Sequence, residues 1–256
     1  MKKLLKLTSF AIALALAAIF GVACNFSVGT NSATSTSNTN NSASTPAASP
    51  KAEAPKKDVD IAGKYDTTGT NPDGGGEYKA ELTVTKRDDV YQFSWVSGKN
   101  SYDGVGVMTD GEVAVSYTDG PNGKGCGVVL YKIAGDGSMN GKVGYWGTNT
   151  METESAKRTS GSDLEGSYDI EGKNPEGKPY KGKLDVKKDG EGYSFKWSAG
   201  VELTGFGIRA GEFVAVGFGG KQCSFVGYDV QDDGTLAGKW GGQGSTKFGT
   251  ETAKRK

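Results

Sequence analysis

The chain has 256 residues, with 30 Lys and Arg against 30 Asp and Glu, 41 glycines, three cysteines and no histidine. Without an imidazole there can be no Ser-His-Asp or Cys-His nucleophile arrangement and no histidine metal ligand. The balanced charge offers no basic face for nucleic acid, so no nucleic-acid partner is expected.

The N-terminus reads as an export signal. Met1, Lys2, Lys3 and Lys6 form a positive region, and Leu7 to Ala23 is apolar apart from Thr8 and Ser9, a length and flank that fit an export signal better than a membrane span, with a retained helix as the plainest alternative. It ends in "GVAC", which resembles the lipobox of bacterial lipoproteins. That resemblance implies cleavage of residues 1–23 and acylation of Cys24, so that the membrane becomes a partner through a lipid anchor. Gly21 stands where that family usually carries Leu, which keeps plain secretion as the alternative. Asn25 follows the cysteine where some bacteria place an Asp for inner-membrane retention, so the resemblance implies an outer-membrane or surface address. Losing three lysines with the signal leaves 27 basic and 30 acidic residues.

Residues 24–60 are low in complexity. From 25 to 50, 17 of 26 residues are Ser, Thr or Asn, followed by Ala, Pro, Lys and Glu. Such a stretch buries too little apolar surface to offset its ordering entropy, so a disordered tether is expected, with a reach of about 30 Å.

The rest is one unit written twice, assigned to residues 61–160 and 161–256. "GKYD" (63–66) matches "GSYD" (166–169), "GTNPDGGG" (69–76) matches "GKNPEGKP" (172–179), and "YQFSW" (91–95) matches "YSFKW" (193–197). "CGVVLYKIAGDGSMNGK" (126–142) matches "CSFVGYDVQDDGTLAGK" (223–239), and both copies end in "TE.AKR". The polar link 159–163 suggests two units joined tightly. Within each unit the apolar period is two, the signature of strands. Tyr78, Ala80, Leu82 and Val84 share a face, as do Tyr180, Gly182, Leu184 and Val186; Tyr91, Phe93 and Trp95 alternate with polar residues. About eight short strands per unit with short connections make an antiparallel meander, whose edges are removed most simply by closure into a barrel. The expected fold is all-β, two tandem eight-stranded meander barrels. A β-sandwich, or a half-open sheet shared between the copies, is the alternative.

Few residues offer chemistry. No nucleotide or dinucleotide fingerprint is present, and no cofactor or metal is expected. The acid pairs Asp88-Asp89 and Asp232-Asp233 fall in turns. An EF-hand counted from Gly74 or Gly177 would need acids where Gly69, Ala80, Gly172 and Lys183 stand, so the repeated Asn-Pro-acid-Gly reads as a turn. Cys126 and Cys223 occupy the same place in each copy. They read first as small buried hydrophobes, and as a disulfide if a pseudo-twofold axis passes close to that strand. Tyr78, Tyr91 and Trp95, with Tyr180, Tyr193 and Trp197, are candidate walls for a ligand in the barrel interior. Tyr145 and Trp146 form an aromatic pair found only in the first copy and are a candidate contact patch. Glu154 and Glu251 are read as rim carboxylates paired with a Lys or Arg.

The run "G.Y...G.NP[DE]G..Y.G", then "Y.F.W", "G.G[VI]", "Y.[IV]..DG.[ML].G" and a late "TE", resembles a family of small exported bacterial proteins, some labelled fibronectin-binding proteins. The architecture is similar by analogy to avidin and lipocalin barrels. The resemblance implies a non-enzymatic envelope module that binds an extracellular protein or matrix partner. A carrier of a small apolar ligand is the alternative, and an enzyme of unknown type the second.

Overall fold

The computed structural model describes residues 58–256 apart from Pro121, Asn122 and Lys124; the signal segment, Cys24 and the tether up to residue 57 lie outside the described residues. The first copy supplies β1 Gly63–Thr70, β2 Glu77–Arg87, β3 Val90–Ser97, β4 Asn100–Thr109, β5 Glu112–Asp119, β6 Gly127–Ile133, β7 Met139–Tyr145 and β8 Glu152–Ser162. The second supplies β9 Glu165–Lys173, β10 Pro179–Asp189, β11 Gly192–Ser198, β12 Glu202–Ala210, β13 Phe213–Phe218, β14 Ser224–Val230, β15 Leu236–Gly241 and β16 Gly249–Arg255. The expected all-β fold of two closed antiparallel eight-stranded barrels is what forms. Turn chemistry does the local work: Asp110 and Gly111, both at positive φ, make the two-residue connection between β4 and β5 that suits the twist of a hairpin.

The barrels are not one per repeat. One runs β1-β16-β15-β14-β5-β4-β3-β2; the other runs β10-β11-β12-β13-β6-β7-β8-β9. Each therefore takes five strands from one copy and three from the other, and residue 160 is not a barrel boundary. Nor is the 159–163 segment a linker, because β8 extends through Ser162 and turns straight into β9, its ladder partner. The reason for the exchange lies in equivalent edges. Tyr117 of β5 faces Ser224 of β14, and Phe218 of β13 faces Gly127 of β6. Those are the same register between repeat-equivalent residues, so β5 loses no pairing by taking the other copy's strand, the condition under which strand exchange costs little.

Three apolar clusters follow. Two fill the barrels, around Phe93, Trp95 and Tyr228 in the first and Tyr131, Phe195 and Trp197 in the second. A third lies between the barrels, where Val105, Val107 and Ala114 meet Val128, Leu130 and Ala215. This seam explains why β5, β6 and β13 are buried on both faces and read as apolar runs. The connections β5–β6 and β13–β14 both cross the seam, and Cys126 and Cys223 at their ends form a disulfide with a Cα–Cα distance of 5.6 Å. The disulfide alternative thus replaces the plain buried-hydrophobe reading of these two cysteines.

Candidate functional site

Each barrel holds one buried carboxylate near one end. β16 sets Glu251 between two glycines, Gly69 of β1 and Gly238 of β15. β8 sets Glu154 between Gly172 of β9 and Gly141 of β7. Strand alternation turns both side chains inward, where Glu251 is 6% and Glu154 4% exposed. Glycine is required at these four places because tyrosine rings lie over them, joined at Gly69 and Gly238 by a still nearer backbone carbonyl oxygen. A Cβ would stand 2.6 Å from the Tyr78 ring at Gly69 and 2.5 Å from Tyr228 at Gly238. At Gly172 and Gly141 it would stand 2.5 Å from the Tyr180 hydroxyl and 2.8 Å from the Tyr131 ring.

Those tyrosines donate to the carboxylates. Glu251 accepts from Tyr78 Oη at 2.5 Å, from Trp95 Nε1 at 3.0 Å and from the Tyr228 hydroxyl. Glu154 accepts from Tyr180 Oη at 2.5 Å, from Trp197 Nε1 at 3.1 Å and from the Tyr131 hydroxyl. In both, Oε1 takes the Trp and one Tyr, and Oε2 takes the other Tyr. The rim reading of these glutamates is therefore corrected. They sit inside the barrels on three neutral donors, with no Lys or Arg in ion-pair contact among the described residues. The physical reason is that "TE.AKR" alternates, with Glu and Ala inward and Lys157 and Lys254 outward, while the Arg two places beyond the Ala meets a different partner, Arg255 lying over the Tyr65 ring.

Burial is the main electrostatic influence. It raises the Glu251 carboxyl above its usual range, opposed by the hydrogen bonds from Tyr228, Tyr78 and Trp95. Burial, followed by the charge of the adjacent glutamate, lifts Tyr78, Tyr228, Tyr131 and Tyr180 far above the usual phenol range. These hydroxyls stay protonated and remain donors.

Above each carboxylate the barrel opens into a cavity. The first, about 240 Å³, is lined by Tyr78, Trp95, Tyr102, Tyr117, Trp240 and Glu251, with Asn71 also in its wall. The second, about 390 Å³, is lined by Tyr145, Glu154, Tyr180, Trp197, Leu203 and Phe218, with Asn174 and Pro175 also in its wall. Both Asn-Pro-acid-Gly turns thus contribute to cavity walls. The first is a short 3-10 turn, Pro72–Gly74, tied down by Asp73, which accepts from Thr246 N, Thr246 Oγ1 and Lys247 N between β15 and β16. The second closes on itself, with Asn174 Oδ1 accepting from the amides of Glu176 and Lys178.

Of the aromatic walls expected from the sequence, Tyr78, Trp95, Tyr180 and Trp197 line the cavities, and Tyr145, expected in a contact patch, joins the second. Desolvation and then the charge of Glu154 push the partly buried Tyr145 hydroxyl up to about 12. Tyr91 and Tyr193 line neither cavity: Tyr91 lies further along β3, opposite Lys86 and Gly106, and Tyr193 sits beneath the Lys188 ammonium. The pair Tyr145-Trp146 is split, because consecutive strand-end residues point opposite ways; Trp146 packs on the seam between barrels. Lipidation at Cys24 falls outside the described residues. Sequence reasoning missed Tyr131, Tyr228, Tyr102, Tyr117 and Trp240. The shared Tyr of "VVLYKI" and "FVGYDV", matched to the shared Glu, was the available signal. Comparisons with protein-family models, with curated proteins and with solved structures find no match.

Proposed function

We propose that this chain is a non-enzymatic binding module of the bacterial envelope, anchored through Cys24, that takes a small ligand into the open ends of its barrels. The observation carrying this reading is the pair of cavities, about 240 and 390 Å³, each walled by aromatic rings and floored by a hydrogen-bonded carboxylate. The larger falls in the size range of small-molecule sites, mostly apolar with a few placed polar groups. The carboxylates favour binding over catalysis: three of roughly four acceptor positions are already held by fixed donors, which leaves one position to meet a ligand.

The protein or matrix partner implied by the fibronectin-binding resemblance has less support. Such a surface calls for a contiguous apolar patch, and the large exposed hydrophobics among the described residues are the separate Val59, Val96 and Val201. Native mass spectrometry of the chain purified from its host tests the choice. A small molecule released on denaturation is expected. Ligand-free barrels that instead capture a matrix protein would overturn it.

A further inference from the structure

The two cavities share a floor but not their walls. Four positions distinguish them: Tyr102, Tyr117 and Trp240 in the first barrel correspond to Leu203, Phe218 and Val143 in the second, and Tyr145 of the second corresponds to Gly242. In the first, Tyr117 stands 5.3 Å from Trp95, 6.1 Å from Tyr102 and 6.3 Å from Trp240, and Tyr78 meets Trp240 edge-on at 5.9 Å. Five aromatic rings line one space, and Glu251 is the only formal charge among the described residues lining it. Its Oε1 is occupied by Trp95 and Tyr228 and its Oε2 by Tyr78 alone, so one acceptor position remains on Oε2.

Resting on the small-ligand reading above, we infer that the first barrel takes a small organic ammonium ion, held by the Tyr78, Trp95, Tyr102, Tyr117 and Trp240 cage over the Glu251 carboxylate. The chemistry is selective. Aromatic faces attract a desolvated cation through their quadrupole, Trp most strongly, and such cages recognise alkylated ammonium groups. A buried carboxylate without a counter-ion is costly, and a cation in the cavity neutralises it in surroundings that screen poorly. An anionic ligand meets repulsion from the same group. The second barrel keeps the carboxylate but has Leu203, Phe218 and Val143 in place of Tyr102, Tyr117 and Trp240, with Tyr145 added on one wall, so its larger space suits a bulkier, more apolar ligand.

Intrinsic tryptophan fluorescence and calorimetry on the exported chain test this, with choline, its uncharged isostere 3,3-dimethylbutan-1-ol, and hexanoate as probes. Choline is expected to bind at least about tenfold more tightly than the isostere, and hexanoate more weakly than either. Glu251→Gln, which keeps the two bonds at its oxygen and reverses the third by donating its amide to Tyr78 Oη, should remove the preference for choline while retaining isostere binding; Glu154→Gln should leave it intact. Trp240→Val installs the residue of the other barrel and should weaken choline about tenfold even if the Gln variant folds poorly. Equal binding of choline and isostere would overturn the ammonium assignment and leave the cavity reading standing. No binding of any probe would overturn both.

Discussion

Gly238 faces Glu251 across the β15–β16 ladder, and the bare Cα of Gly238 is what lets the Tyr228 ring lie flat enough to donate to that glutamate. A carboxylate, a glycine and a tyrosine on three successive strands form one device, repeated as Glu154, Gly141 and Tyr131 in the other barrel. Gly238→Ala would put a methyl 2.4 Å from the Gly227 carbonyl oxygen and 2.5 Å from the Tyr228 ring. We expect a loss of about 1–3 kcal/mol, as for overpacking, measured by urea unfolding. A variant as stable as the parent would show that Tyr228 can move without cost.

The pH response of Glu251 has a definite sign. Burial holds its carboxyl above the ordinary 4.5, so the folded chain binds this proton more tightly than the unfolded one. The associated stability is complete below 4.5 and disappears as pH rises through the higher folded value. The titratable groups facing it, Tyr78, Tyr117 and Tyr228, are all raised above 10.0 and stay neutral throughout. Glu251→Gln should therefore gain in Tm relative to the parent between pH 4 and pH 7.5. A constant difference across that range would rule the linkage out.

Thr67 points into the first barrel with its hydroxyl buried and unpartnered among the described residues, at the position where the second copy has Ile170. An unsatisfied buried hydroxyl costs about 1–3 kcal/mol. Thr67→Val, nearly the same shape, should raise stability by about 1 kcal/mol, seen as a higher denaturant midpoint. A fall would mean that the hydroxyl has a partner, such as a bound water.

The Cys126–Cys223 disulfide spans 97 residues. A loop of that length restricts the unfolded chain enough to contribute up to about 4–5 kcal/mol in the chain-entropy treatment. The double Ala variant should remain folded, because neither barrel core depends on the sulfurs, but unfold at a markedly lower denaturant concentration. Non-reducing mass spectrometry of the chain purified from its host should find both thiols oxidised.

The strands, their count and their closure were legible because period-two patterns and turn residues act locally. Tyr78, Ala80, Leu82 and Val84 declare one inner face whatever their neighbours are. Which β6-like strand β5 pairs with was not legible, since Gly127 and Ser224 offer it the same register. The glutamates were misread for a related reason. Lys157, Arg158, Lys254 and Arg255 follow so closely that an ion pair looked natural, whereas counting by twos from buried Ala156 and Ala253 places Glu154 and Glu251 on the inner face. The cage was hidden because Tyr102, Tyr117 and Trp240 come from both copies and meet only through the exchange.

That exchange also changes what heredity can act on. In the first barrel the carboxylate and Tyr228 belong to the second copy, while Tyr78 and Trp95 belong to the first; in the second barrel the ownership is reversed. A duplicated gene ordinarily leaves one copy free to drift while the other keeps working. Here neither half is a spare, since an altered copy touches both pockets and a deleted one leaves no complete pocket at all.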